Sequence, residues 1–184
     1  SSDVRDESLA KMVMRSLSMV REAPVDKDIV LARNDQLVSA QDLEALDLID
    51  TEVMVEADHL EKWAIEAESE ARKVKGVTQV QGSSASVGII KSHLAFSNGF
   101  SQGYSRSGVN ISCVSISGQG NKMERDYASE SRVHICDLPL PSSIGQLSGE
   151  RAAARFGARK PPTGNYPVLY DERVSSSLVG HLIG

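Results

Sequence analysis

The chain has 184 residues, a formal net charge of −5 and 40% hydrophobic residues, which suits one domain or one domain and part of another. The acidic balance argues against a dedicated nucleic-acid binder, because such proteins usually carry a basic excess. The sequence shows neither the long apolar run of a membrane-spanning helix nor a signal-peptide apolar run at its start, so we expect a cytoplasmic protein without contact to a membrane.

The first predicted element is an amphipathic helix over about residues 3–23. Apolar residues recur in it at helical spacing: Leu9, Met12, Val13, Leu17 and Val20. Pro24 ends the segment, since the residue before a proline disfavours α geometry. The methionines at helical spacing are interpreted as core filler rather than as a partner groove. Further along, Leu43 and Leu46 indicate a short helix or an extended docking piece.

The strongest helical signal runs from Thr51 to Lys75, where one stripe of residues is apolar: Leu60, Trp63, Ala64, Ala67, Ala71 and Val74. Glu68 and Arg72 lie one turn apart on the other side, in the order that favours an ion pair. Gly76 is placed to end the helix. The tryptophan of the stripe is interpreted as a core anchor.

Residues 77–127 are predicted to form antiparallel strands joined by turns at Asn98-Gly99 and Gly118-Gln119-Gly120. One group of apolar residues shares a parity and predicts a buried face: Ile90, Leu94 and Phe96. A second group changes parity, so either both faces are covered there or a bulge intervenes: Val109, Ile111, Cys113, Val114 and Ile116.

Beyond a linker at 137–141, a third helix is predicted over about residues 143–156, capped by Ser142-Ser143 and ended by Gly157. Its arginines form a basic stripe that we expect to face acids or solvent: Arg151, Arg155 and Arg159. Tyr166–Tyr170 is predicted to be a short strand. Asp171 can then cap a last helix that carries His181.

Residues with catalytic chemistry form no recognisable constellation. Cys113 and Cys136 are too far apart for a CxxC pair and are interpreted as reduced structural thiols. No two histidines have ligand spacing, and no G-x-S-x-G nucleophile motif occurs.

Three stretches resemble the PmbA (TldE) branch of the TldD/PmbA family. They are Ser97-Asn98-Gly99-Phe100 with Gly103-Tyr104 and Ser112-Cys113, then Met123-Glu124-Arg125-Asp126-Tyr127, and finally Gly157–Gly164 continuing through Tyr166-Pro167-Val168 to Ser177–Leu182. The resemblance covers roughly residues 55–184. Family members are considerably longer, so we expect a fragment of a longer chain.

The resemblance implies a cytosolic complex in which a TldD-type subunit carries zinc and a PmbA-type subunit does not. Such complexes are associated with the processing of unfolded peptides, peptide-antibiotic maturation and antitoxin turnover, and carry an older label as modulators of DNA gyrase. We expect no cofactor in this chain, with zinc in the partner subunit, and no binding of nucleic acid.

The catalytic branch of the family carries an H-E-x-x-x-H helix, in which the two histidines bind one Zn²⁺ and the glutamate acts as general base. The resemblance places Gly180 at the first histidine and His181 at the glutamate. Gly184 is the small residue before the second histidine. The motif is therefore degenerate, and we expect no catalytic residue and no metal ligand here. A lone histidine on an apolar helix face is interpreted as buried.

The fold class expected from these elements is α+β, with long helices packed on a mostly antiparallel sheet. An N-terminal α+β domain is predicted over 1–157 and the beginning of a C-terminal domain over 158–184. Two other functions stay open at this point: an autonomous peptidase or hydrolase with an unrecognised site, and a gyrase-interacting regulator.

Overall fold

A computed structural model of the chain describes residues 3–51, 53 and 55–183. The helices in this part of the chain are α1 (Asp6–Glu22), α2 (Ala40–Glu44), α3 (Ala57–Lys73), α4 (Pro141–Arg155) and α5 (Glu172–Ile183). The strands are β1 (Val77–Ala95), β2 (Ser101–Ser117) and β3 (Glu124–Arg132). They form an antiparallel sheet in the order β1-β2-β3, which confirms the α+β fold class.

The chain divides into two compact units. Unit 1 comprises Ser1–Met54, Val87–Val109 and Arg132–Asp137, and unit 2 comprises Val55–Ser86, Asn110–Ser131 and Leu138–Gly184. The predicted domain boundary after residue 157 stays a prediction. Across the described residues, no helix combines the length and the apolar character needed to cross a bilayer.

The core of unit 2 lies between the sheet and the helices α3 and α4. Its buried residues are Ala67, Ala71, Ile111, Cys113, Ala128 and Ile144, with Trp63, Val80, Ala85 and Leu138 packed around them. The apolar stripe predicted for α3 is therefore the face that packs inward. Glu68 and Arg72 form the expected ion pair, at 2.6 Å. Burial raises the pKa of the Cys113 thiol, which keeps it protonated and unreactive.

Small residues let α3 and α4 approach closely. A side-chain carbon on Gly145 would overlap the backbone of Ala67, and one on Gly149 would lie 2.7 Å from a methyl group of Val74. Only glycine fits at such contacts, because the backbones themselves are in van der Waals contact. The positions of the glycines in α4 therefore determine how closely α3 and α4 can pack.

The strand β2 alternates regularly between its faces. Its odd-numbered residues from Ser107 to Ser117 are buried, while the even-numbered residues between them are half-buried. In unit 2, Ser115 hydrogen-bonds Ser148 of α4 at 2.7 Å, and Ser117 donates to the carbonyl oxygen of Ala152 at 2.7 Å. The alternation shows that a single parity persists through β2, with its second face partly covered.

In unit 1, several predicted core residues are exposed. The apolar stripe of α1 contributes no buried residue, so the interpretation of its methionines as core filler is wrong. Ile90, Leu94 and Phe96 are likewise exposed, and the predicted buried face there is wrong. The helices α1 and α2 of the same unit also bury none of their residues, so unit 1 lacks the helix-on-sheet core that the prediction assumed.

Two local predictions in unit 2 are also wrong. Residues 166–170 form no strand, because Pro167 lacks the N–H group that a sheet ladder requires. The helix α4 begins at Pro141 rather than after Ser142-Ser143, and proline at the first helical position needs no donor there. The predicted cap of α5 is confirmed, since the Arg173 N–H donates to the Asp171 carboxylate at 3.0 Å.

Candidate functional site

Two of the three positions that the resemblance assigns to the motif lie on α5. Gly180 and His181 are consecutive, exposed residues of this helix. A side-chain carbon on Gly180 would meet no atom within 4 Å, so no steric constraint requires glycine there. The exposure of His181 shows that the interpretation as a buried histidine is wrong. Gly184 lies outside the described residues.

The residues on α5 do not fit the zinc ion that the catalytic branch of the family would hold. Gly180 offers no donor atom, and one histidine cannot supply a site that needs three protein ligands. Elsewhere in the described chain, no group of three or more His, Cys, Asp or Glu side chains is arranged to hold a metal ion. His93 instead lies 3.0 Å from the Ser101 hydroxyl.

An ion-pair cluster fastens the start of α5 to β3. Arg173 donates to the Asp126 carboxylate at 2.9 Å and to that of Asp171 at 3.0 Å. Arg155 of α4 approaches the other Asp126 oxygen at 3.6 Å. The Arg173 guanidinium also lies 5.7 Å from the centre of the Tyr127 ring, within cation–π range.

The charge on Asp126 is stabilised by these contacts. Its side chain is 8% exposed, and burial alone would raise the pKa of the carboxyl group. The hydrogen bonds from Arg173 and the Tyr127 N–H, with the charges of Arg173 and Arg155, outweigh burial and lower that pKa. The same carboxylate raises the pKa of the Arg173 guanidinium. Both groups therefore stay ionised, and the pair holds α5 against β3.

A groove in unit 1 brings several functional groups together on a concave surface. It has a volume of about 400 Å³ and is lined by α2, the loop after it and the start of β2: Ala40, Leu43, Glu44, Asp47, Leu48, Ile49, Gln102, Gly103, Tyr104 and Ser105. The leucines and Ile49 are half-buried, whereas Glu44, Asp47 and Tyr104 are exposed. The lining is thus aliphatic at its base and acidic at its rim.

One end of this groove is fixed by side chains that bond to the backbone. The Gln102 amide, in the orientation that satisfies both neighbours, donates to the Val38 carbonyl at 2.7 Å and accepts from the Ala40 N–H at 3.0 Å. Ser39 and Asp42 form a capping box at the start of α2, which leaves fewer backbone donors unsatisfied.

The other end of the groove is fixed by a buried serine. The Ser107 N–H donates to the Leu48 carbonyl at 3.0 Å, and the Asp50 N–H donates to the Ser107 hydroxyl at 2.9 Å. The Asp50 carboxylate accepts from the Ile135 N–H at 2.7 Å. Segment 38–50 is therefore attached to β2 at both ends.

His134 lies beside this second attachment. Its Nε2 atom is 3.1 Å from the Asp47 carbonyl oxygen and 3.3 Å from the Asp47 carboxylate. The hydrogen bond to Asp47 raises the pKa of His134, and the charges of Asp47, Asp50 and Asp137 act in the same direction. Asp47 has a positive φ of 47°, which places its carboxylate in a tight turn.

Sequence reasoning missed the groove and the Asp126 cluster. Asp126 belongs to the Met123–Tyr127 stretch that carries the resemblance, but no local pattern indicates its ion pairs. The groove combines residues from segments about 60 positions apart, and no local periodicity connects them. In the sequence, the acidic rim of the groove is indicated by the isolated acidic residues after α2.

Comparisons with known proteins identify the family. The family model of the PmbA/TldA metallopeptidase central domain matches residues 44–156. The protein Metalloprotease PmbA of Escherichia coli O157:H7 is 29% identical over 185 residues, which cover 100% of this chain and 40% of that protein. The Metalloprotease PmbA homolog of Haemophilus influenzae is 24% identical over 183 residues, covering 98% of this chain and 40% of that protein.

A solved structure shows the same fold. A protein from Thermotoga maritima, described as a candidate modulator of a DNA gyrase, superposes with a TM-score of 0.52 at 21% identity, covering 60% of this chain and 25% of that one. The chain spans about 40% of the length of the curated relatives that it matches end to end. Because the family model matches more than half of its residues, the chain belongs to the PmbA/TldD family.

Proposed function

We propose that this chain is part of a non-catalytic, PmbA (TldE)-type subunit of a zinc-metalloprotease complex. A TldD-type partner subunit supplies the zinc, and the pair processes or degrades unfolded peptides in the cytoplasm. The observation that carries the proposal is the glycine at position 180, which has no side-chain donor atom and which the resemblance places where the catalytic branch has its first histidine.

The chemistry of the neighbouring residues supports this assignment. Zinc hydrolysis needs several protein ligands, an open position for water and a base beside it. At the corresponding positions of α5 this chain offers one exposed histidine, His181, and no carboxylate. The metalloprotease activity in the names of the relatives is accordingly assigned to the complex, with its metal in the partner.

The test compares hydrolysis of an unstructured peptide by the full-length protein alone, by its TldD-type partner alone, and by the mixture. We expect cleavage in the mixture, loss of cleavage on chelation, and recovery when zinc is added. Cleavage by the full-length protein alone that resists the chelator would instead show an autonomous hydrolase. Salt-dependent binding to DNA or to gyrase without cleavage in the mixture would favour a regulator.

A matched pair of substitutions separates the roles of the two subunits. His181→Ala in this chain should leave cleavage by the mixture within about twofold of the unsubstituted protein, because one exposed histidine is not a metal site. Replacement of the first motif histidine of the partner by alanine should abolish it. Loss of activity and of bound zinc in the His181→Ala mixture would show that this chain contributes a ligand.

A further inference from the structure

We propose that the groove of unit 1 binds a lysine or arginine side chain of an extended peptide. The proposal rests on the proposed function in one respect, namely that unfolded peptides are the ligands of this protein. It goes further because it assigns a binding site on this chain and names the chemical class of residue that the site accepts.

The groove is a built feature rather than a gap under a loose loop. Gln102 bonds to the backbone at both Val38 and Ala40, and Ser107 bonds to Leu48 and Asp50 at the opposite end. Between these attachments the segment stands away from β2 and leaves the space that α2 and Tyr104 line. A site held in this way loses little conformational freedom when a ligand enters.

The lining matches the two parts of a long basic side chain. Leu43, Leu48 and Ile49 offer an aliphatic base against which a methylene stem can pack. Glu44 and Asp47 lie at the rim, where an ammonium or guanidinium group can form charge-assisted hydrogen bonds. No lysine or arginine of the described chain lines this groove. Asp47 lies 3.3 Å from the His134 Nε2 atom, whereas the Glu44 carboxylate forms no ion pair in the described structure and is the rim charge left for a ligand.

A polar surface beside the groove can accommodate the main chain of the ligand. A shallow depression lined by Lys91, Ser92 and His93 shares Gly103, Tyr104 and Ser105 with the groove. A side-chain carbon on Gly103 would lie 2.6 Å from the Ser92 carbonyl oxygen, so glycine is needed for the strands to approach there. The depression and the groove are therefore adjacent, and an extended peptide that enters the groove from this side would pass the His93 side chain, whose Nδ1 atom lies 2.8 Å from that carbon position.

The decisive experiment measures binding of short labelled peptides to the full-length protein by fluorescence anisotropy. The probes are Ser-Leu-Lys-Leu-Ser and the same peptide with norleucine in place of lysine, which keeps the methylene stem and removes the charge. We expect the lysine peptide to bind about tenfold more tightly, with the preference weakening as salt is raised. Equal affinity for the two peptides would overturn the proposal.

A pair of substitutions locates the binding. Glu44→Gln removes a rim carboxylate that forms no hydrogen bond or ion pair in the described structure, so the fold is expected to persist. It should reduce the preference for lysine about threefold or more. Glu61→Gln removes an exposed carboxylate of α3 outside the groove and should leave the preference unchanged. Equal losses in both variants would show a non-specific effect of net charge and overturn the assignment.

These measurements are independent of catalysis. Peptide binding is measured without the TldD-type subunit, and chelator-sensitive cleavage is measured with any unstructured substrate. If cleavage behaves as proposed but the lysine preference is absent, the groove assignment fails alone. If binding prefers lysine but the mixture does not cleave, the groove stands as a peptide site and the proposed function fails.

Discussion

The contact between Arg173 and Asp126 is the clearest case of one residue pair that holds an element in place. Arg173→Met removes the charge while keeping most of the aliphatic length, and leaves the nearly buried Asp126 with the Tyr127 N–H and the longer contact to Arg155. We expect a loss of about 1–3 kcal/mol in the free energy of unfolding, measured by chemical denaturation near pH 7. Arg159→Met, at an exposed arginine after α4, is the control and should change it by less than about 0.5 kcal/mol.

The same pair predicts a dependence on pH. The folded-state pKa of Asp126 is lowered, so its contribution to stability is present above the unfolded pKa near 3.8 and is lost as the pH falls through the folded value. The difference between Arg173→Met and the unsubstituted protein should therefore shrink in strong acid. A difference that stays constant down to the lowest pH at which both proteins fold would contradict the role given to this carboxylate.

His134 gives a prediction of opposite sign. Its folded-state pKa is raised above 6.5, so its contribution to the attachment of the 47–50 turn is fully present below the unfolded pKa and is lost as the pH rises through the folded value. Hydrogen exchange of the amides in this turn should be slower at pH 6 than at pH 8, after correction for intrinsic exchange. His134→Phe should remove that pH difference, and its persistence in the variant would assign it to another group.

At the scale of elements, the glycines of α4 and α5 make a matched experiment. Gly145→Ala places a methyl group against the backbone of Ala67, so α3 and α4 must separate, at a cost of about 2–3 kcal/mol. Gly180→Ala adds the same methyl group where no atom lies within 4 Å. It should be neutral or stabilise α5 by about 0.5–1 kcal/mol, because alanine is the better helix former.

Thermal and chemical denaturation of the two variants would check this pair of expectations. Equal effects would mean that general helix propensity, rather than the close approach of α3 and α4, determines the outcome. A loss of stability in Gly180→Ala alone would indicate that the exposed face of α5 contacts another part of the full-length protein.

The secondary-structure elements were predicted correctly where the residues of a single segment are enough to determine the outcome. The stripe of α3 faces the core as its spacing predicts, and Asn98-Gly99 forms the turn between β1 and β2. The stripe of α1 has the same periodicity but stays exposed. Periodicity shows which face of a helix is apolar, whereas burial depends on what packs against that face, and no local pattern encodes the packing partner.

At the scale of the whole molecule, the α+β class could be predicted from sequence, but the groove could not. The degenerate motif, which the resemblance places at Gly180, stays a prediction. The groove depends on the hydrogen bonds of Gln102 to the backbone of Val38 and Ala40. These segments are far apart in the sequence, and no local periodicity indicates that they are in contact. Burial of Asp126 was hidden for the same reason, since its partner Arg173 lies 47 residues further along the chain.

The assignment of zinc to the partner predicts how each whole protein responds to a chelator. A bound metal stabilises the folded state by mass action, so removing a resident ion lowers the temperature of unfolding. We expect the midpoint of the full-length protein that contains this chain to move by less than about 1 °C on chelation, and that of the TldD-type subunit to fall by several degrees. A fall in the first protein that added zinc reverses would mean that it holds the metal itself, through residues other than Gly180.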